Sequence, residues 1–357
     1  MTTVMRVGGA APYEVVIGPG TTDAVSKMVA GATRALVIAD PTVRAHAQRI
    51  AEHVASAGVE VDLVDLPAGE AAKSLATVAR LWDELGERRL TRNDAIVAVG
   101  GGATTDVAGF VAATWLRGIR IVQVPTTLLA MVDAAIGGKT GINTAAGKNL
   151  VGSFHPPAGV VVDLDVLESL PAEQWVNGMA EVLKAGFIAD PAILELVEAD
   201  LAGAAVPSGR AARELIERAI AMKVDVVSRD LKEAGPREML NYGHTLGHAI
   251  ERLEDYQIPH GHAVSIGMVF AAGLGKAAGT IDGETLMRHQ VLLAAIGLPT
   301  SYRPDALPDL VELMRIDKKA RGDKLRFVVL KGLAHPVILE APDAAMLEAA
   351  YREVCRT

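Results

Sequence analysis

The segment Ala95-Ile96-Val97-Ala98-Val99-Gly100-Gly101-Gly102-Ala103-Thr104-Thr105-Asp106 decides the fold class. An unbroken apolar run rich in β-branched residues reads as a strand covered on both faces. Three glycines stop it, and the apolar positions that follow (Val107, Phe110, Val111, Thr114 and Trp115) have helical spacing. A buried strand that passes through glycine into a helix is the repeating unit of a parallel α/β sheet. The turn also has chemistry to offer. Backbone N–H groups at glycine can approach a phosphate closely, and a helix N-terminus favours an anion. The spacing is not that of the ordinary dinucleotide fingerprint, and a tight turn without a ligand would read the same way.

Outward from this segment the alternation repeats. Strands are expected at Val15–Ile17, Ala35–Ala39, Val59–Val64, Ile119–Val124 and Val160–Val162, with helices such as Val43–Ala57 and Ser74–Arg88 between them. After Leu170-Pro171 the period becomes helical: Val176, Met179, Ala180, Leu183 and Phe187 share a face, as do Leu215, Ile216, Ala219, Ile220 and Val227. Only Leu325–Leu330 and Val337–Leu339 still read as strands. The expectation is an α/β protein with a doubly wound, parallel-sheet nucleotide-binding domain over residues 1–168. A mostly α-helical domain over 169–357 follows, and ligands belong outside the carboxyl ends of the strands.

Composition narrows the function classes. A net charge of −8 argues against a nucleic-acid or anionic-membrane surface. The single cysteine, Cys355, cannot form an intrachain disulfide. The stretch Met1–Arg6 has no signal-peptide apolar core, and the most apolar later segment, 263–275, is too short to span a membrane. A soluble, cytoplasmic enzyme is expected.

Four of the chain's nine histidines, His244, His248, His260 and His262, crowd together. His244 and His248 are four apart and so share a helix face. Neutral imidazole is the commonest metal ligand and a usual proton shuttle, although an isolated pair at this spacing is more often structural. Glu181 sits on an amphipathic helix beside Ala180, Val182 and Leu183, with Lys184 one turn later. One carboxylate with two imidazoles would make an open three-ligand set of the catalytic zinc type. Pro125-Thr126-Thr127, Asp133, Gly137-Gly138-Lys139 and Gly147-Lys148-Asn149 add hydroxyls and glycine-flanked lysines, read as loop cations able to reach an anion.

Taken together, Gly100-Gly101-Gly102 with Asp106, Pro125-Thr126-Thr127, Gly137-Gly138-Lys139, Gly147-Lys148-Asn149, Glu181-Val182-Leu183-Lys184, the run Asn241 to Glu251 and His260-Gly261-His262-Ala263-Val264 resemble the 3-dehydroquinate synthase family. The matching motifs span roughly residues 68 to 331, in family order. The resemblance implies a lyase of the shikimate pathway, converting 3-deoxy-D-arabino-heptulosonate 7-phosphate to 3-dehydroquinate and phosphate. It also implies catalytic NAD⁺, a Zn²⁺ or Co²⁺ ion and a homodimer.

By match to the family's motifs, Glu181, His244 and His260 would hold the metal. NAD⁺ would lie along Asp40, Gly69, Glu70, Lys73, the turn Gly102-Ala103-Thr104-Thr105-Asp106, Thr126, Thr127, Lys139 and Lys148. Substrate would meet Asp133, Lys139, Asn149, Lys184, Lys223, Arg237, Asn241, His248 and one of Lys318 and Lys319, with Arg117 reaching into the partner subunit's site. Two departures stand out. Ala103-Thr104-Thr105 replaces the family's usual Val/Ile and Gly, and His262 stands where Glu is common, so that His260 and His262 compete for the third ligand position; motif register selects His260. The rival readings are another sugar-phosphate cyclase, a metal-dependent polyol dehydrogenase, which would release NADH stoichiometrically, and a non-catalytic nucleotide-binding module.

Overall fold

The computed structural model describes residues 1–233, 235–318 and 324–355, with the side chains of 316–318 excepted. The chain forms two compact units. One comprises Met1–Leu170 with Lys223–Ala234, the other Pro171–Met222 with Gly235–Thr357.

The first unit is built on strands β1 (Thr3–Val7), β2 (Tyr13–Gly18), β3 (Arg34–Ala39), β4 (Glu60–Asp65), β5 (Ala95–Gly100) and β6 (Arg120–Pro125). Strands β7 (Lys139–Thr144) and β8 (Gly147–Phe154) make a separate hairpin, and β9 (Gly159–Asp163) returns to the main sheet. That sheet has the order β1-β2-β9-β6-β5-β3-β4 and is parallel except for the β1–β2 edge pair. Strict alternation explains why both faces are dry. Leu36, Ile38, Ile96, Ala98 and Ile121 pack on one side, while Ala35, Val37, Ala39, Val97, Val99, Val122 and Val124 pack on the other. The chain leaves β3 toward β4 at one edge and re-enters at β5 to continue toward the other. The switch point therefore lies at the carboxyl ends of β3 and β5, where Asp40 N–H bonds the Val99 carbonyl at 3.0 Å.

Every strand expected from the sequence is present within a residue or two. Three others were not expected: β1, β7 and β8. Lys139, Lys148 and Asn149 therefore stand on a hairpin rather than on loops. The hairpin was hidden because its strands are polar and carry glycines. A Cβ on Gly152 would lie 2.1 Å from the Thr140 carbonyl oxygen, so the pairing itself demands a residue with low β-propensity.

Among the described residues, the regular structure of the second unit is helical apart from the hairpin β10 (Arg326–Leu330) and β11 (Pro336–Glu340). Its centre is the helix His260–Ala277, buried almost throughout, against which pack the helices Ala172–Ile188, His244–Leu253, Gly283–Ala295 and Ala344–Val354. Close approach on one side comes from glycine: a Cβ on Gly267 would fall 1.9 Å from the Gly243 carbonyl oxygen.

Candidate active site

In the first unit, the triple glycine makes the turn from β5 into the helix that follows it. Gly101 caps the helix Gly102–Thr114, and a Cβ on Gly100 would meet the Thr104 hydroxyl at 2.4 Å. Thr104, Thr105 and Thr126 are buried at this turn, and Thr126 N–H bonds the Gly100 carbonyl at 2.9 Å. Asp40 caps its own turn by accepting from Thr42 N–H at 2.9 Å. Lys73 is not a solvated lysine: it is 4% exposed, and its ammonium donates to Asp106 and Asn149. Asn149 has a left-handed backbone (φ 56°) and donates its N–H to the Asn143 side chain, which in turn bonds Glu70 at 2.7 Å. Lys148 lies 3.9 Å from the same Glu70, and Gly69 opens the turn with φ 60°. Residues 70, 73, 106, 148 and 149 thus form one polar network beside the glycine turn.

Two further cations of this unit meet carboxylates. Lys223 donates to Asp133 and Lys139 to Glu233. Arg117 is exposed at the far end of the Gly102–Thr114 helix, and both it and Leu116 have positive φ (68° and 49°). For non-glycine residues each such conformation costs about 1 kcal/mol or more. Leu116 is also exposed, so packing alone gives no reason for the strain.

In the second unit, three elements bring Glu181, His244 and His260 together. Glu181 lies mid-helix on Ala172–Ile188 and is 4% exposed, not solvated. His244 and His260 are the first residues of their helices. One Glu181 oxygen accepts from Lys184. The other, Oε1, is buried with no hydrogen-bond partner among the described residues, and lies 3.5 Å from His244 Nε2 and 3.8 Å from His260 Nε2. A buried carboxylate oxygen left without a donor is costly. In the neutral ring the nitrogen facing it carries the lone pair, because each ring's other nitrogen meets an acceptor that takes its proton. His244 Nδ1 is 3.1 Å from the Tyr242 carbonyl, and His260 Nδ1 is 3.3 Å from Glu251 Oε2. Three acceptors converging on one point are what a divalent cation needs. Burial, then the nearby charges of Lys184, His248 and His260, hold the His244 imidazole well below its usual titration range, so it is neutral at neutral pH.

His248 stands beside this cluster, its ring centroid 5.3 Å from that of His244 and 6.2 Å from that of His260. Arg237 and Asn241 belong to the turn Pro236–Asn241, with Arg237 2% exposed. His262 is not part of the ligand-distance groups formed by the described residues. Lys319 and the Lys318 side chain lie outside the described residues.

Sequence reasoning passed over several supports. Asn177, one turn before Glu181, accepts the Gly261 N–H, and Glu233, Tyr242 and Glu251 hold Lys139, His244 and His260 respectively. For Tyr242 and Glu251 the signal was present in the quoted motif, since Glu251 is seven residues after His244 and shares its helix face.

Comparison with known proteins agrees over the whole chain. The family model described as 3-dehydroquinate synthase N-terminal matches residues 63–177, and 3-dehydroquinate synthase C-terminal matches 178–320. A 3-dehydroquinate synthase from Thermobifida fusca (strain YX) is 57% identical over 356 residues, covering 99% of this chain and 97% of the relative. Among solved structures, 2-deoxy-scyllo-inosose synthase complexed with carbaglucose-6-phosphate, NAD⁺ and Co²⁺ has TM-score 0.88 at 29% identity, covering 98% of this chain and 100% of the other. The 2-epi-5-epi-valiolone synthase of Streptomyces hygroscopicus subsp. jinggangensis 5008, with NAD⁺ and Zn²⁺ bound, has TM-score 0.88 at 27% identity, covering 96% of each chain.

Proposed function

The chain belongs to the 3-dehydroquinate synthase family, and we propose that it works the family's reaction with NAD⁺ held by residues 1–168 and a divalent metal held within residues 169–357. The activity is that of a carbon–oxygen lyase acting on phosphate. 3-Deoxy-D-arabino-heptulosonate 7-phosphate is converted to 3-dehydroquinate by transient oxidation, phosphate elimination, reduction and intramolecular aldol closure.

The observation that carries the metal assignment is Glu181 Oε1, buried with no hydrogen-bond partner among the described residues and facing His244 Nε2 and His260 Nε2. Zn²⁺ and Co²⁺ both suit this donor set. Bound there, the ion supplies Lewis acidity toward a substrate hydroxyl, while NAD⁺ supplies a hydride acceptor. For the nucleotide, the Gly102–Asp106 turn and Thr126 and Thr127 offer N–H and hydroxyl groups to the pyrophosphate. Asp40 and the Gly69, Glu70, Lys73, Lys139 and Lys148 positions line the remainder.

The substrate's charge calls for cations and its hydroxyls for polar side chains. Lys139, Lys184, Lys223 and Arg237 are assigned to the phosphate and carboxylate, with Asp133, Asn149, Asn241 and one of Lys318 and Lys319 completing the contacts. Lys184 and Lys223 are buried, and each already faces a carboxylate, so their ammonium groups are held in place before substrate arrives. This preorganisation is what stabilises charge developing as phosphate leaves. His248, beside the ligand cluster, is assigned to hydrogen bonding and proton relay at the leaving phosphate.

A homodimer in which Arg117 serves the partner's site is the proposed assembly, supported by its strained, exposed position. Among the described residues no helix is long and apolar enough to cross a membrane. The small polar substrate and the single cysteine support the cytoplasm as the compartment.

The test is phosphate release from the heptulosonate phosphate. Activity should require NAD⁺, fall to background after exhaustive chelation and return with Zn²⁺ or Co²⁺, with no NADH accumulating in proportion to product. Stoichiometric NADH, or full activity in metal-free protein, would overturn the reading.

A further inference from the structure

The two imidazoles facing Glu181 are secured from behind in unequal ways. His244 leans on a backbone carbonyl, that of Tyr242. Tyr242 is itself fully buried, with its hydroxyl donating to His289 Nε2 at 2.8 Å. His260 is placed differently. It opens its helix directly after Pro259, where no preceding helical turn restricts its side-chain rotamers. Its side chain is 27% exposed, against 12% for His244 and 3% for Glu181.

Behind His260 stands a side chain, Glu251, at 3.3 Å from Nδ1 and only 6% exposed. His244, His248 and Glu251 follow an i, i+4, i+7 pattern, so a single helix face presents all three. A carboxylate buried this deeply must be hydrogen-bonded to be tolerated. Because it accepts only, the bond fixes the proton of the neutral His260 ring on Nδ1 and leaves the Nε2 lone pair facing Glu181.

We propose that Glu251 is the positioning residue for His260, holding its tautomer and ring orientation and thereby setting the affinity for the divalent metal. The inference rests on the metal reading above. His248, Glu251 and His260 also come within ligand distance of one another. Both groups share His260, and only the group with Glu181 includes the buried carboxylate oxygen that has no hydrogen-bond partner among the described residues.

Two measurements test it. In chelated protein with ¹⁵N-labelled histidine, long-range ¹H–¹⁵N spectra report the His260 tautomer, expected as Nδ1–H in wild type and as an Nε2–H mixture in Glu251→Ala. Competition with a chromophoric chelator gives Zn²⁺ affinity, expected to fall about 10- to 100-fold in Glu251→Ala. It should fall less in Glu251→Gln, whose amide oxygen can still accept. NAD⁺ affinity should be unchanged in both variants, which reports folding. If Glu251→Ala is poorly folded, Glu251→Gln, of the same shape, carries the affinity test alone. An unchanged tautomer and an affinity within twofold of wild type would overturn the proposal. So would loss of all metal in Glu251→Ala with retention in Glu181→Ala, which would make Glu251 a ligand. Absence of zinc binding in wild type would sink the metal reading instead, and the tautomer of the chelated protein would still decide the role of Glu251.

Discussion

Asn177 Oδ1 accepts the backbone N–H of Gly261 at 2.7 Å, and the Asn177 carbonyl oxygen sits where a Cβ on Gly261 would have to go, 1.9 Å away. The contact closes one of the unpaired donors at the start of the His260 helix. It also sets the distance between helices, so that Glu181, one turn beyond Asn177, meets His260. Gly261→Ala should force the two helices apart, costing about 1–3 kcal/mol of stability. Zinc affinity should fall with it while NAD⁺ affinity stays the same. Asn177→Ala, which removes only the acceptor, should cost about 1 kcal/mol. Chemical denaturation and chelator competition on both variants check this, and wild-type stability in the Gly261→Ala protein would contradict it.

Removing the ligands themselves should be harsher. Glu181→Gln keeps the shape but takes the charge from a site where a buried oxygen faces two imidazoles. If Glu181 is a ligand as proposed, metal content should fall below stoichiometry and kcat by more than about 100-fold, beyond what loss of a supporting group costs. Metal analysis of the purified variant is the check, since stoichiometric zinc would mean that Glu181 is not a ligand.

A pH dependence of stability resides in His289. It is fully buried, its ring stacked on Phe187 with centroids 3.6 Å apart, and burial pushes its pKa down to about 4. Its Nδ1–H donates to the Thr285 carbonyl, and Nε2 accepts from Tyr242. The folded pKa lies below the unfolded value near 6.5, so the unfolded chain binds the extra proton between them. The contribution is complete above pH 6.5 and is lost as pH falls toward 4, by about 3 kcal/mol. His289→Gln can keep both hydrogen bonds without titrating. Unfolding free energies of chelated protein at pH 7 and pH 4 should therefore fall more steeply in wild type than in the variant; parallel curves would refute the assignment.

Arg117 invites a mixing experiment. The helix Gly102–Thr114 separates it from the glycine turn of its own chain by about 20 Å. Arg117→Ala and Lys184→Ala homodimers should each be weak. Their mixture should regain about a quarter of wild-type activity, because half the dimers carry one site with both residues intact. No recovery despite demonstrated subunit exchange would place Arg117 in its own chain's site or make it structural.

Much of this could be read from the chain. The alternation around Ala95–Val99 pointed to the parallel sheet because both faces of such strands are buried and their composition shows it. The histidine crowding pointed to a site because two imidazoles at helical spacing must share a face. The hairpin β7–β8 escaped because polar, glycine-bearing strands leave no periodic signal, and the burial of Lys73 escaped because nothing local announces that a lysine will sit between Asp106 and Asn149.

The α/β class, the family and the residue types available for metal and phosphate are legible in the chain, since these depend on local periodicity and on contiguous motifs. Which atoms face which is settled by the folded chain. Glu181 is 63 residues from His244 and 79 from His260, and their convergence depends on helix crossings fixed by Gly261, Gly267 and Asn177. The choice of Nε2 over Nδ1 as the unprotonated nitrogen of each ring depends on acceptors supplied through the fold, the Tyr242 carbonyl and the Glu251 carboxylate. Contacts between helices are set by side-chain volume across the interface, a quantity that no single stretch of sequence contains.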